Sequence, residues 1–362
     1  MQADTFQPEQ YEHLWQQKVS DTYALFNGLD TPQPTDYASP PAHFRMRAEF
    51  KIWHDENGWD YVMFERGNKH KHYKITAFPI AHESIELLMP MLRSSIQARE
   101  ILNQRLFQVE FLASTTGEML VTLIYHKKLG DEWLEAATSL ANTLSIKIIG
   151  RAKKQKLCTH EDWLIESLPV KDRTWHYQQV EASFTQPNAA INTQMLSWAC
   201  EQLGTSNTDL LELYCGNGNF TLPLSTQFRQ VLATEISKTS INSALFNCDK
   251  NDVSNITFLR MSSEEFTQAL NGDREFRRLR DTDLNSYQLN TVLVDPPRAG
   301  LDDGTIELIR KFDRILYISC NPITLVENIN ALKNDFDIES LAFFDQFPYT
   351  HHIESGVLLV KR

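Results

Sequence analysis

The stretch Thr291–Pro322 reads TVLVDPPRAGLDDGTIELIRKFDRILYISCNP, two short apolar runs around a polar middle. Thr291–Val294 and Arg314–Ile318 have the length and the β-branched, aromatic character of buried strands. Between them, Ile306, Ile309 and Phe312 recur near helical spacing with Leu308 beside them, so a helix is expected over Asp302–Phe312. The two strands should then be parallel neighbours joined by a right-handed crossover. Each run ends in a proline-stiffened turn, Asp295-Pro296-Pro297-Arg298 and Ser319-Cys320-Asn321-Pro322. Parallel strands leave a sheet on one edge, so Asp295 and Cys320 are expected together at the carboxyl edge, where open α/β sheets bind ligands. Taken singly, a strand-end Cys is most often a small buried hydrophobe and an Asp before Pro a turn residue. Two rigid ends on the same edge, neither able to continue as a central strand, point instead to a reactive site.

The surrounding half continues the pattern. Asp209–Phe220 (DLLELYCGNGNF) is an apolar strand turning through Gly216 and Gly218 into a helix, a loop that brings backbone amides close to a ligand. A dinucleotide fingerprint needs a third glycine at 221, where Thr221 stands, which argues against hydride transfer. The next strand, Gln230–Thr234, ends in Glu235, placed where a carboxylate binds ribose hydroxyls. Alternating elements follow: helix 238–250, strand 255–260, helix 262–270, the unit described above, helix 323–334, and closing strands at 336–345 and 356–361. The expected fold is α/β: a Rossmann-like, doubly wound sheet in the order used by S-adenosylmethionine-dependent methyltransferases.

The N-terminal half has a different rhythm. Residues 8–27 form an amphipathic helix with Tyr11, Trp15, Val19 and Tyr23 on one face, and the Pro-rich residues after it read as a loop. From 43 the chain alternates: Phe44, Met46, Ala48, Phe50 and Ile52 on one face; Arg45, Arg47, Glu49, Lys51 and Trp53 on the other. Strands at 60–66 and 71–78 with the cluster Lys69, His70, Lys71, His72, Lys74, a helix at 82–103, strands at 106–114 and 118–127, a helix at 131–144 and a strand at 145–150 complete an α+β domain. That strand runs into GRAKKQK, basic and without an acid. Basic clusters and exposed aromatics on one sheet suit RNA, although any one cluster is as readily a solvated surface. After a further β-rich stretch, helix 189–203 begins behind SFTQPN, placing the expected boundary between an RNA-binding domain, 1–182, and a methyltransferase domain, 183–362.

Composition narrows the classes. With 362 residues and 42% hydrophobic content the chain can build two cores. A net charge of −12 disfavours nucleic-acid binding through the bulk field and leaves only a local basic surface for it. No apolar run is long enough to span a membrane and no secretory leader is legible, so a cytoplasmic protein is expected. The five cysteines have no metal-ligand or iron–sulfur spacing, so neither a metal nor a cluster is expected.

Six ordered motifs, FTQPNAAINTQML, LLELYCGNGNFTLPL, VLATEIS, VDPPRAGLD, LYISCNP and FDQFPYTHHIESGVLL, together resemble the bacterial tRNA (uracil-5-)-methyltransferase family, and HFRMRAEFKIW and YHKKL extend the likeness across nearly the whole chain. The resemblance implies an enzyme that methylates carbon 5 of the T-loop uridine, position 54, using S-adenosylmethionine, with the tRNA T-arm and the T-like loop of tmRNA as RNA partners. It implies that Gln186, Tyr214, Asn219, Glu235 and Asp295 contact the cofactor, beside the Gly216 backbone, that Cys320 is the nucleophile, and that Glu354 is the base. It further implies that Phe184 and Arg298 line the uracil pocket, while Arg45, Arg47 and Lys51 are candidates for gripping the RNA. The related ribosomal-RNA methyltransferases resemble the C-terminal half, but this chain lacks the cysteine cluster several of them carry.

The chemistry fits these residue types. Carbon 5 of uracil is too weak a nucleophile for a sulfonium until a thiolate adds to carbon 6. Cys320 precedes a helix starting after Pro322, whose dipole should favour thiolate. Glu354, expected in a polar loop between the last strands, is placed to remove the carbon 5 proton, and the uridine must be flipped out of its stack. Two other readings are a non-catalytic RNA-binding or chaperone protein, in which Cys320 and Glu354 would be dispensable, and a base-amine methyltransferase, which needs an aromatic residue where Arg298 stands.

Overall fold

The computed structural model describes residues 6–362 apart from 57 and 66, and for 69 and 70 the backbone only. Lys69 and His70 of the expected basic cluster thus have side chains outside the described residues, as do residues 1–5 of the stretch read for a leader. The chain opens with α1 (Tyr11–Ala24) and a three-residue strand, β1 (Thr35–Tyr37). Then come β2 (Arg47–Asp55), β3 (Gly58–Glu65), β4 (Asn68–Lys74), α2 (Glu83–Gln97), α3 (Glu100–Asn103), β5 (Leu106–Ala113), β6 (Met119–Tyr125), α4 (Asp131–Leu144), β7 (Lys147–Ala152) and β8 (Gln155–Cys158). A two-stranded hairpin, β9 (Trp163–Val170) and β10 (Arg173–Val180), precedes α5 (Ala189–Leu203). The last half holds β11 (Asp209–Leu213), α6 (Thr221–Ser225), β12 (Val231–Thr234), α7 (Lys238–Lys250), β13 (Ile256–Leu259), α8 (Ser263–Asn271), β14 (Leu289–Val294), α9 (Asp303–Ile309), β15 (Arg314–Ser319), α10 (Pro322–Leu332), β16 (Phe336–Phe344) and β17 (Glu354–Lys361).

The chain folds into two compact units, and the single boundary expected after 182 is corrected. The larger unit takes Glu9–Ser39, Leu168–Gln178 and Ala190–Arg362; the smaller takes Pro40–Ser167 and Gln179–Ala189 with the described residues up to Pro8. The reason is packing: α1 buries Tyr11 and Trp15 in the core of the larger unit, and β1 pairs parallel with β16 at its sheet edge. The segment read as a plain loop thus contains a strand, too short and polar to show a period.

In the larger unit the strand order is β1-β16-β17-β15-β14-β11-β12-β13. Strands β13, β12, β11, β14 and β15 are mutually parallel, and β17 runs antiparallel to both β15 and β16. β11 is buried along its whole length, as a central parallel strand covered on both faces must be. The order reverses between β11 and β14, so the loops after these strands flank the switch point where such sheets bind ligands. On β17, Gly356 leaves room for an indole: a Cβ there would stand 2.5 Å from Trp198 Cζ3.

The smaller unit is a seven-stranded sheet, β4-β3-β2-β5-β6-β7-β8, in which only β6 and β7 are parallel. The expected alternation holds: Phe44, Met46, Ala48, Phe50 and Ile52 are buried, with Phe50 packed edge-on against Phe78 and Phe111. The basic GRAKKQK run forms the β7–β8 turn, where Lys154 takes the left-handed conformation at φ 59°.

Candidate active site

The loops after four strands of the larger unit, β11, β12, β14 and β15, together with the start of β17, carry most of the expected site. The loop after β11 uses left-handed backbone at Tyr214 (φ 64°), Gly216 (φ 56°) and Gly218 (φ 84°). Glycine adopts this without strain, but Tyr214 does not, and strained backbone of this kind is held only where its surroundings over-determine it. They do: Tyr214 hydroxyl pairs with Ser263 Oγ at 2.7 Å, Asn247 Nδ2 donates to Asn217 O at 2.9 Å, and the Asn219 and Asn192 amides bond reciprocally at 2.9 and 3.0 Å. Glu235, at the end of β12, accepts from the Gly216 amide at 3.1 Å through Oε2 and from the Ser237 amide at 2.7 Å through Oε1. A carboxylate thus faces the glycine loop at the spacing anticipated for ribose.

The second group gathers at the ends of β14, β15 and β17. β15 and β17 pair antiparallel up to Ser319 opposite Ser355, so Cys320, the residue after β15, and Glu354, the first of β17, lie at the same end of the ladder, near enough for the carboxyl to act on the thiol. Glu354 is therefore not in a polar loop: it opens β17 and is only 5% exposed. Asp295 leaves the neighbouring parallel strand on the same edge. Arg298 projects over this edge; its backbone oxygen accepts from Asn321 Nδ2 at 3.0 Å, and its Nη2 lies 3.3 Å from His352 Nδ1.

The electrostatics correct one expectation. The dipole of α10 was expected to favour a Cys320 thiolate, but the thiol is pushed up to about 11, chiefly by burial and then by Glu354 and Asp295, with Arg298 opposing. The first turn of that helix is already served by Asn321, whose side chain accepts from the Ile323 amide. Burial, with Asp295 adding to it, raises Glu354 well above the carboxylate range, and burial alone pushes Asp295 up to about 7. Glu212, an acid inside the apolar run of β11, is pushed up to about 8. The pocket is thus a buried acidic site that suits a cationic ligand, whose charge would draw all these groups back toward their ionised forms.

The remaining candidates belong to the smaller unit. Phe184 is 76% exposed and Gln186 half-buried. The basic outer face expected at Arg45, Arg47 and Lys51 is largely engaged in its own sheet. Arg45 Nε donates to Arg47 O at 2.8 Å and Arg47 donates to Glu181 O at 2.9 Å, burial lowering both guanidinium pKa values. Lys51 bonds Gln108 and lies 4.4 Å from the centre of the Phe107 ring. What this face presents outward is aromatic: Trp53 is 44% exposed with the His72 ring 4.1 Å away, and Phe107 stacks on His126 at 4.1 Å. Sequence reading missed Phe107, His126, Glu212, Asn192 and His352. Of these only Glu212 carried a signal, an acid where a buried strand should have none.

Among the described residues no group of three His, Cys, Asp or Glu is arranged to hold a metal, and no helix is long and apolar enough to cross a membrane.

The tRNA (Uracil-5-)-methyltransferase family model matches residues 10–362. A tRNA/tmRNA (uracil-C(5))-methyltransferase of Pseudomonas putida is 53% identical over 357 residues, covering 99% of each chain. One of Acinetobacter baumannii is 52% identical, covering 97% of this chain and 99% of its own. In fold, the chain is similar to the crystal structure of Pyrococcus abyssi tRNA (uracil-54, C5)-methyltransferase in complex with S-adenosyl-L-homocysteine, with a TM-score of 0.74 and 20% identity, covering 97% of this chain and 83% of that one.

Proposed function

The chain belongs to the tRNA (uracil-5-)-methyltransferase family, and from that premise we propose that it methylates carbon 5 of the T-loop uridine at tRNA position 54, and of the T-like loop of tmRNA, through a covalent Cys320 adduct. It is an S-adenosylmethionine-dependent enzyme. The residues present suit that donor: Glu235 lies against the Gly216 amide where ribose hydroxyls would bind, and Asp295 is a buried carboxyl that a cation would ionise. Tyr214 and Asn219 complete the set assigned to it within the larger unit. Bound there, S-adenosylmethionine supplies the methyl group, activated by its sulfonium charge.

The observation that supports the mechanism is the gathering of Cys320 and Glu354 at one end of the β15–β17 ladder, with Asp295 and Arg298 near enough to act on the same thiol. Cys320 loses its proton to water and the resulting thiolate forms a bond from sulfur to carbon 6, which pushes the electrons of the carbon 5–carbon 6 double bond toward carbon 5 and its neighbouring carbonyl oxygen. Arg298 meets the charge that develops on that oxygen. Once carbon 5 carries the methyl group, the Glu354 carboxylate takes its proton, the carbon 5–carbon 6 double bond re-forms, and the Cys320–carbon 6 bond breaks to return the thiolate. Phe184, 76% exposed on the smaller unit, offers an aromatic surface of the kind on which RNA bases stack. The aromatic and cationic face built from Trp53, His72, Lys51 and Phe107 suits single-stranded loop bases, which is how RNA is usually read. Localisation in the cytoplasm, where tRNA matures, follows from this reading.

The test separates the two ends of the adduct. Glu354→Gln should form and methylate the adduct but not release it, leaving a covalent protein–RNA band on a denaturing gel with labelled tRNA. Cys320→Ala should give neither band nor 5-methyluridine. A band that survives in Cys320→Ala, or normal turnover by Glu354→Gln, would falsify the assignment.

A further inference from the structure

Lys18 lies in α1, more than three hundred positions from the chemistry in sequence. Its ammonium enters the connection between β16 and β17. All three N–H bonds have acceptors there: Nζ is 2.6 Å from Asp345 Oδ1, 3.1 Å from Phe347 O and 3.2 Å from His352 O. One charge thus ties the first residues of the connection to its last. Asp345, 1% exposed, accepts from the Tyr11 hydroxyl at 2.7 Å through its other oxygen, and that hydroxyl accepts from the Ser39 amide at 2.6 Å. Beyond His352 the chain needs only Ile353 to reach Glu354, and the His352 ring stands 3.3 Å from Arg298.

A buried Lys–Asp pair is a poor way merely to dock a helix, because desolvating both charges offsets much of their attraction. α1 already docks by burying Trp15 and Tyr11 in the core. What the ammonium adds is direction: apolar contacts tolerate sliding, whereas three convergent acceptors around one nitrogen do not. We propose that Lys18, anchored by Asp345, is a positioning residue of the methyltransferase: by holding both ends of the 345–352 connection it sets Glu354, and through His352 also Arg298, against Cys320. The inference rests on the roles assigned above to Glu354 and Arg298. It makes a segment outside the expected methyltransferase domain part of the machinery that releases the product.

The test uses the full-length protein and tRNA. Lys18→Met keeps the aliphatic stem and removes the charge and donors; Lys18→Gln keeps one amide donor. For Lys18→Met, kcat should fall about ten- to a hundredfold, the scale of a misplaced catalytic group, while S-adenosylmethionine affinity by calorimetry stays within about twofold of wild type. Because release is the step that needs Glu354, methylated adduct should accumulate on the denaturing gel. Lys18→Gln should lie between Lys18→Met and wild type in kcat. Wild-type kcat in Lys18→Met, or a lowered kcat with no adduct, overturns the proposal. If Lys18→Met loses cofactor binding and so has not folded, Lys18→Gln decides: reduced kcat with adduct sustains it, unchanged kcat overturns it. Glu354→Gln is run beside them. If that variant gives no adduct, the base has been misassigned, and the kcat order alone judges Lys18.

Discussion

Asp295 shows how a side chain proposed to meet the cofactor is held at a cost to the fold. Its carboxyl is pushed from the ordinary 3.8 up to about 7 because burial strips it of water. The folded value lies above the unfolded one, so the group's contribution to stability is full below about pH 4 and is lost as pH rises through about 7. Asp295→Asn, which keeps the shape without the charge, should therefore stabilise the protein by about 1–3 kcal/mol at pH 8 and by nothing measurable at pH 4. Urea unfolding at the two pH values checks this, and an equal gain at both would refute the buried-acid account. The same titration contributes to ligand binding: cofactor affinity should rise with pH up to about 7 in wild type and rise less steeply in Asp295→Asn, where the other buried acids still titrate. The identity of this residue was legible from Pro-stiffened strand ends. The elevation of Cys320 was not, because a helix dipole can be read from sequence whereas the burial of the thiol, and after it the two carboxyls beside it, are supplied by other strands.

The glycine loop depends on α7 as much as on its own residues. Asn247 and Asn251, one turn apart, use their side chains as a substitute β-ladder. Asn247 accepts from the Gln178 amide at 2.7 Å and donates to Asn217 O, while Asn251 accepts from the His176 amide at 2.9 Å and donates to its carbonyl at 2.7 Å. Removing one such amide leaves backbone groups unpaired in a buried place, at about 1–3 kcal/mol. Asn247→Ala should accordingly destabilise the protein by about 2 kcal/mol and weaken S-adenosylmethionine about tenfold, by calorimetry. Asn251→Ala, one turn further from the loop, should destabilise similarly yet leave affinity nearly intact. Equal affinity losses in the two variants would show that the effect is general and not carried by Asn217. In sequence α7 reads simply as a helix over 238–250, and no periodicity reveals that its asparagines face the edge of β10. Glu354 was misplaced for a related reason: HHIES is polar enough to read as loop, yet its acid begins a strand buried between two others.

The larger unit is assembled from three separate pieces of chain, which has a direct consequence for dissection. A fragment of residues 183–362 would lack α1, β1 and the 168–178 hairpin turn. It would expose the edge of β16, uncover the core side of Phe343 and leave the buried Asp345 without Lys18 and Tyr11. An open apolar edge and an unpaired buried acid are both costly. The fragment should show no cooperative thermal transition and the full chain should show one; a sharp transition of the fragment with cofactor binding would contradict the three-piece unit. Local order was determined by the sequence alone: the α/β alternation, the glycine loop and the two Pro-stiffened strand ends, one of them carrying the candidate nucleophile, because hydrophobic period and turn chemistry act between near neighbours in the chain. Which segments share a core, which acids crowd one thiol, and that an N-terminal lysine braces a C-terminal glutamate's loop were decided only when the chain folded. Those facts follow from packing and desolvation between residues hundreds of positions apart, and no local pattern encodes them.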